Sequence, residues 1–227
     1  DLDKYEIDRT EVNRLKEIVK EISKMPKLEI PQNARSLSDF PPMLREAVVR
    51  LDKIFWDEIS EMKIGKILKE VNPIGGFEKA NAVQDALERK KTDLFNVLYV
   101  GDSITDVLAF RKVRRGGGLT VSFNGNNYAM REAEIAVISE NAIVTAILAD
   151  VFNKLGKKGV LELVNEWGYS KLKKYGVDGS LQKRLRELYP KELPTIEIIS
   201  DENREVLSEK SSAFRKSVRG VSIGALG

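Results

Sequence analysis

Short apolar runs that alternate with amphipathic segments in the middle of the chain predict its fold class. Three such runs have the length of buried strands, and the segments around them repeat apolar residues at helical spacing. The predicted strands are Asn96–Val100, Leu119–Phe123 and Ile135–Ile138, and the predicted helices are Phe77–Lys90, Ser103–Val113, Tyr128–Ala133 and Ala142–Leu155. Because strands that alternate with helices form parallel sheets covered on both faces, we predict a Rossmann-like, three-layer α/β core.

Helical patterns flank this core on both sides. Asp8–Met25 carries an apolar stripe and begins with the spacing of a capping box. A second stripe runs over Leu44–Met62, with a break or bend expected at Gly65. Beyond the core, charged helices are predicted at Val160–Trp167, Ser180–Tyr189 and Asp201–Val218, and Thr195–Ile199 is either a strand or an extended loop. The chain therefore divides into a helical segment (1–71), an α/β core (72–155) and a helical C-terminal extension (156–227).

The absence of two residue types limits the chemistry open to this chain. Its 227 residues include no cysteine and no histidine, which excludes thiol nucleophiles, disulfides and zinc–thiolate sites. A metal site must then use oxygen ligands, which favours a hard cation such as Mg²⁺. The net charge of +3 gives no argument for nucleic acid, and no apolar run approaches the length of a membrane span. We expect a cytoplasmic protein without a nucleic-acid partner.

The segment GDSITD, at Gly101–Asp106, carries the strongest chemical signal. Asp102 directly follows a predicted strand, and ligands of open α/β sheets bind beyond the carboxyl ends of the strands. Asp106 lies four residues further on, at the start of the next helix, and two adjacent carboxylates without a basic neighbour favour a bound cation. Lys79, in the first turn of the preceding helix, can reach a phosphate at the same edge. These residues predict a site for Mg²⁺ and phosphate.

Plainer interpretations of the same residues remain open. Asp102 could simply cap a helix, with Asp106 as a surface charge in its first turn, and Lys79 could be an ordinary solvated lysine. Asn124 and Asn127 could hydrogen-bond a substrate, but asparagine also shapes turns. Ser103 resembles the nucleophile of GDSL-type esterases, whose mechanism requires a histidine base that this chain lacks.

GDSITD resembles the fourth motif of the haloacid dehalogenase superfamily, GDxxxD, and GGFEKANAV resembles the segment that carries its third-motif lysine. The turn after Phe123 and the segment AEIAVI at Ala133–Ile138 are similar to its later strands. FNGN and the terminal VRGVSIGALG also resemble an archaeal phosphatase-like group, some of whose members are labelled energy-converting hydrogenase A subunit R. The superfamily resemblance covers about 72–152.

This resemblance implies a magnesium-dependent phosphohydrolase that acts on a small phosphorylated substrate. Asp102 and Asp106 would bind Mg²⁺, Lys79 would stabilise the phosphoryl charge, and Ser103, Asn124 and Asn127 would contact the substrate. In that family an aspartate attacks phosphorus and forms an aspartyl-phosphate, which water hydrolyses. Residues 1–71 would be a cap-like helical insertion.

The first two motifs of that family are not recognisable in this chain. Asp1-Leu2-Asp3 has the letters of the nucleophile motif DxD, but no apolar strand precedes it. We expect the nucleophile on an upstream segment or on another chain that completes the core. The alternative is a phosphatase-like fold that serves as a non-catalytic binding subunit of a larger complex.

Overall fold

The computed structural model describes residues 5–31, 34, 36–71 and 74–219. The DxD of Asp1–Asp3, the Asn72–Pro73 turn and the end of VRGVSIGALG lie outside the described residues. The chain divides into two compact units, residues 1–73 and residues 74–227. Among the described residues, no helix is both long and apolar enough to cross a membrane.

The first unit is helical. Helix α1 (Arg9–Ile22) begins at the N-cap Asp8, whose carboxylate accepts a hydrogen bond from the backbone N–H of Glu11 at 2.9 Å. This is the N-cap half of the predicted capping box, whereas the carboxylate of Glu11 accepts from the backbone N–H of Ile64. Helices α2 (Pro42–Asp52) and α3 (Lys66–Glu70) follow. The stripe predicted over Leu44–Met62 is not one α-helix, because it changes at Lys53–Glu58 to π-helical geometry and then to two short 3₁₀ turns. The break lies at Met62, whose backbone is extended, and not at Gly65, which is helical and leads directly into α3.

Charged side chains hold helices of the first unit together. Arg50 donates to both carboxylate oxygens of Glu21 and to Glu58, and Arg14 donates to Glu58 at 2.6 Å. Planar guanidinium groups match carboxylates in two-point contacts, which fixes the geometry between elements as well as the charge balance. These contacts keep the pKa of Glu58 below its usual value, with the hydrogen bond from Arg50 as the main cause.

The second unit has the predicted α/β architecture. In the described residues four strands form one sheet in the order β1-β2-β3-β4, where β1 to β3 are parallel and β4 is antiparallel to β3. The strands are β1 (Leu98–Gly101), β2 (Leu119–Phe123), β3 (Ile135–Ile138) and β4 (Thr195–Ile198). The helices are α4 (Phe77–Lys90), α5 (Val107–Arg115), α6 (Asn127–Glu132), α7 (Ile143–Asn165), α8 (Tyr169–Leu172), α9 (Gly179–Leu188) and α10 (Arg204–Arg219).

One predicted helix differs from the observed one in a way that bears on function. The helix predicted over Ser103–Val113 begins with a 3₁₀ turn at Ile104–Asp106. In this turn the side chain of Asp106 accepts hydrogen bonds from the backbone N–H groups of Asp102 and Ser103, which precede it in the chain. The helical span α7 is interrupted at Gly156, whose backbone is not helical, so the predicted helix end at Leu155 is confirmed and a second helical stretch runs on to Asn165. Thr195–Ile198 is a strand, so the C-terminal part of the chain contributes directly to the sheet.

One apolar core joins the sheet to the C-terminal helices. Buried side chains from β2 and β3 pack on α7, α9 and the segment before α9, and include Leu119, Val137, Ile147, Leu163 and Leu185. Since residues on both sides of Gly156 belong to this cluster, the region after residue 155 folds as part of the same unit as β2 and β3.

The kink in α7 can be tested through the backbone conformation of Gly156. Gly156 has φ 64° and ψ −168°, a conformation that is strained for any residue with a Cβ, although the space around it is open. We expect Gly156→Ala to lower the free energy of unfolding by about 1–3 kcal/mol, measured by urea denaturation. Gly179→Ala, at an equally open position in the first turn of α9, is the control and should be close to neutral. Equal effects of the two changes on the free energy of unfolding would contradict the interpretation that the backbone of Gly156 requires a glycine.

Candidate functional site

The carboxyl ends of β1 and β2 gather the residues that the sequence singles out. Gly101 and Ser122 are paired in register at the ends of these parallel strands, and the loops that follow them lie at the same sheet edge. Lys79 comes to this edge from the first turn of α4. The loop that precedes α4 is also tied there, since the backbone N–H of Gly76 donates to the carbonyl of Thr105 at 2.9 Å. The predicted meeting of Lys79 with the GDSITD loop is therefore present.

Asp106 is the most highly coordinated side chain of the site. It is only 3% exposed, which excludes the interpretation as a surface charge. Its Oδ2 accepts from the backbone N–H groups of Asp102 and Ser103, at 3.0 and 3.1 Å. Its Oδ1 accepts from Lys79 Nζ at 2.7 Å and from the hydroxyl of Tyr99 at 2.9 Å. Both oxygens thus serve to position protein groups, which differs from the metal-binding role expected for Asp106.

These contacts also fix the protonation states. Burial alone would raise the pKa of Asp106, but the hydrogen bonds from Lys79, Asp102, Tyr99 and Ser103 outweigh it, and the pKa lies below its usual value. Burial and the contact with Asp106 raise the pKa of Tyr99, so its hydroxyl stays protonated and donates. The ionised carboxylate and the ammonium group of Lys79 therefore form a charged pair at the sheet edge.

Lys79 remains accessible although it is held in place. Its side chain is 28% exposed, and its ammonium group donates to Asp106 and to the hydroxyl of Thr105, the latter at 2.9 Å. An ammonium group has three N–H donors, so these two contacts orient the group and leave one donor for a ligand. Thr105 was not singled out in the sequence, where it reads as an ordinary helix-start residue.

Asp102 has a different set of partners. Its backbone carbonyl accepts from the N–H of Asn126 at 2.8 Å, and its Oδ2 accepts from Arg215 Nη1 at 3.1 Å. The same nitrogen donates to the carbonyls of Asp102 and Asn124, at 3.0 and 2.9 Å. Arg215 is only 3% exposed and comes from α10, more than a hundred residues away in the chain. Sequence reasoning missed it because its segment resembles a solvated charged helix.

The remaining predicted residues have local roles. Asn124, with φ 48°, accepts from the backbone N–H of Ser139 at 2.9 Å and donates to its carbonyl at 2.7 Å, so its amide links the ends of β2 and β3. The hydroxyl of Ser103 contacts that of Thr105 at 2.9 Å. Asn127 is exposed at the start of α6, in a groove shared with Arg131 and Arg204. The turn-shaping interpretation of Asn124 thus accounts for its amide.

The donor set fits part of a magnesium site. Among the described residues, no group of three or more carboxylates, histidines or cysteines comes together to bind a metal. Mg²⁺ is commonly bound by one or two carboxylates, with water and phosphate as the other ligands. The side chain of Asp102 is 33% exposed at the sheet edge, so a hydrated cation can reach it. The described chain therefore offers one carboxylate for such a cation.

Comparison with known proteins identifies a fold and no activity. No protein-family model matches the chain, and no curated protein matches it. A solved structure, that of gene product AF1437 from Archaeoglobus fulgidus, is similar to it with a TM-score of 0.62 and 24% sequence identity. The match covers 97% of this chain and 56% of that chain, so the chain spans about half the length of this relative. The likeness shows a shared α/β fold.

The contact between Gly101 and Asp106 gives a first test of the site. A Cβ at residue 101 would lie 2.6 Å from Cγ of Asp106, closer than packed atoms allow. We expect Gly101→Ala to displace the Asp106 carboxylate and to lower the free energy of unfolding by about 1–3 kcal/mol. The measurement is chemical denaturation, with Gly179→Ala as the control. A neutral Gly101→Ala would show that the carboxylate is not fixed there.

The lowered pKa of Asp106 gives a second test. A carboxylate with a depressed pKa in the folded state stabilises the protein fully above its unfolded pKa of about 4, and this stabilisation is lost as the pH falls through the folded pKa. Asp106→Asn should therefore be less stable than the wild type by about 2–4 kcal/mol at neutral pH. Urea denaturation should show this difference shrinking as the pH falls below about 4. A difference independent of pH would contradict the assignment of the ionised form.

Proposed function

We propose that the chain is the metal-and-lysine half of a magnesium-dependent phosphohydrolase of the haloacid dehalogenase type. The observation that carries the proposal is the Lys79–Asp106 pair, fixed beside Asp102 at the carboxyl end of a parallel strand. A positioned ammonium group and an accessible carboxylate at such an edge suit a phosphoryl group and its counter-cation.

The charges of the site explain why it would need a cation. Asp102 and Asp106 are balanced by Arg215 and Lys79 within the described chain. A phosphate monoester brings about two further negative charges near neutral pH, and a nucleophilic carboxylate brings another. Lys79 alone cannot offset these charges. A Mg²⁺ bound through Asp102 would supply the remaining positive charge and polarise the phosphoryl oxygens.

The residues of this chain then divide between binding and positioning. Asp102 binds the cation, and Lys79 donates to a phosphoryl oxygen. Asp106 holds the ammonium group of Lys79 and the backbone of residues 102 and 103 in place, so we assign it to positioning instead of direct metal binding. Thr105 accepts a second hydrogen bond from Lys79 and limits its motion. Ser103 and Asn127 remain candidates for substrate contact.

The nucleophile would come from a strand that pairs with β1. β1 lies at the edge of the sheet among the described residues, and an edge strand can pair with a further strand. A parallel strand added at this edge would end beside Asp102. By the resemblance, the terminal aspartate of this added strand attacks phosphorus and forms an aspartyl-phosphate, while the bond from phosphorus to the alcohol oxygen breaks and that oxygen takes a proton. Water then hydrolyses the aspartyl-phosphate to inorganic phosphate and restores the aspartate.

The test is phosphatase activity of the full-length protein that contains this chain. We expect turnover of a generic phosphate monoester with Mg²⁺, and loss of turnover with a chelator. Asp102→Asn and Lys79→Met should each lower kcat/KM by about a hundredfold or more. Asp85→Asn and Lys90→Met change the same residue types at exposed positions of α4 and serve as matched controls.

The outcome also separates the enzyme from its main alternative. If the folded full-length protein turns over no member of a broad phosphate monoester panel, the proposal fails and a non-catalytic binding subunit is favoured. Activity that survives Asp102→Asn without loss would instead contradict the assigned role of this carboxylate.

A further inference from the structure

Arg215 is a buried cation that directly contacts the carboxylate proposed to bind a metal. Its side chain is 3% exposed, and Nη1 lies 3.1 Å from Asp102 Oδ2. The contact is not a chance surface pair, because Nη1 also donates to the carbonyls of Asp102 and Asn124. One guanidinium group therefore ties the carboxylate and the two loops that follow β1 and β2 to helix α10.

A second contact from the same face of α10 also ties this helix to the sheet edge. Ser211, one helical turn before Arg215, is fully buried and donates to the carbonyl of Gly125 at 2.7 Å. Leu207, another turn earlier, packs on Met130 and Ala136. Residues spaced by four lie on one face of a helix, so α10 presents an apolar contact, a hydroxyl and a guanidinium in line to the sheet edge.

We propose that Arg215 is the built-in counter-ion of Asp102, and that a divalent cation must share this carboxylate with it. This inference rests on the proposed function in one respect, the binding of the cation by Asp102. Arg215 acts through Asp102, since its burial keeps it from contacting a ligand in solution. It holds the carboxylate in place without a metal, and its positive charge lowers the affinity for a second cation at the same group.

The two effects of Arg215 predict changes of opposite sign. Removing the charge should strengthen cation binding because a repulsive charge beside the cation is lost. Removing the hydrogen-bonding contacts of Arg215 should destabilise the metal-free protein, since the carboxylate of Asp102 and the carbonyls of Asp102 and Asn124 each lose one contact with a donor. A purely structural arginine would give only the second effect, and cation affinity would then fall or stay the same.

The experiment is calorimetric titration of the full-length protein with Mg²⁺ alone, without substrate. Arg215→Gln should bind Mg²⁺ about tenfold or more tightly than the wild type, while its melting temperature without metal falls. The rise of its melting temperature with Mg²⁺ should also be larger. Arg215→Lys keeps the charge and should stay near the wild-type affinity.

Two controls separate charge from helix docking. Ser211→Ala removes the neighbouring contact of α10 without a change in charge, and it should leave the Mg²⁺ affinity unchanged. Lys216→Gln removes an exposed charge next to Arg215 in the sequence. It tests whether a more distant positive charge, whose effect is screened by salt, also changes the Mg²⁺ affinity. Unchanged or weaker binding by a folded Arg215→Gln would overturn the inference.

A measurement on the wild type keeps the inference testable if Arg215→Gln does not fold. By linkage, a cation that weakens the Arg215–Asp102 contact should loosen α10, so its amide hydrogens should exchange faster with Mg²⁺ than without. Unchanged or slower exchange in α10 would overturn the inference. Tighter binding by Arg215→Gln without phosphatase turnover in the wild type would refute the proposed activity alone. No Mg²⁺ binding by either protein would refute both.

Discussion

The buried carboxylate of Asp106 is the interaction on which the site depends. A buried charge is costly unless it is paired and hydrogen-bonded, and Asp106 meets this requirement with donors from three separate stretches of chain. Two backbone N–H groups come from its own loop, a hydroxyl comes from Tyr99 within β1, and an ammonium group comes from Lys79 on α4. The strand, the loop and the preceding helix are therefore held in one arrangement by a single side chain.

A similar logic applies to Asp102, with a different helix as the partner. The two acidic residues of GDSITD are four positions apart, yet their positive partners come from opposite ends of the unit, Lys79 before the strand and Arg215 after the last described strand. This separation gives the two carboxylates separate duties. Asp106 stabilises the framework, while Asp102 remains at the surface of the edge with a third of its side chain exposed.

Most of the α/β fold could be predicted from the sequence because its signal is local. Leu119–Phe123 and Ile135–Ile138 are short apolar runs with strong breaks around them, and both are strands with the predicted bounds. The Lys79–GDSITD contact could also be expected, since a helix that feeds a parallel strand begins near that strand's carboxyl end. The separate basic partners of the two acidic residues in GDSITD could not be predicted, because the expectation of two carboxylates without basic neighbours was wrong. Arg215 lies 113 residues from Asp102, and no periodic pattern connects them. The positions Leu207, Ser211 and Arg215 do share one helical face, but only the first is apolar.

The length of chain between Asp102 and Arg215 also has a consequence for biosynthesis. A ribosome adds about 5–20 residues per second, so the arginine is made several seconds after the aspartate that it neutralises. Until α10 has been made, the loops after β1 and β2 lack the contacts that Arg215 provides. The site therefore reaches its final charge balance only when the last described helix has left the exit tunnel and docked.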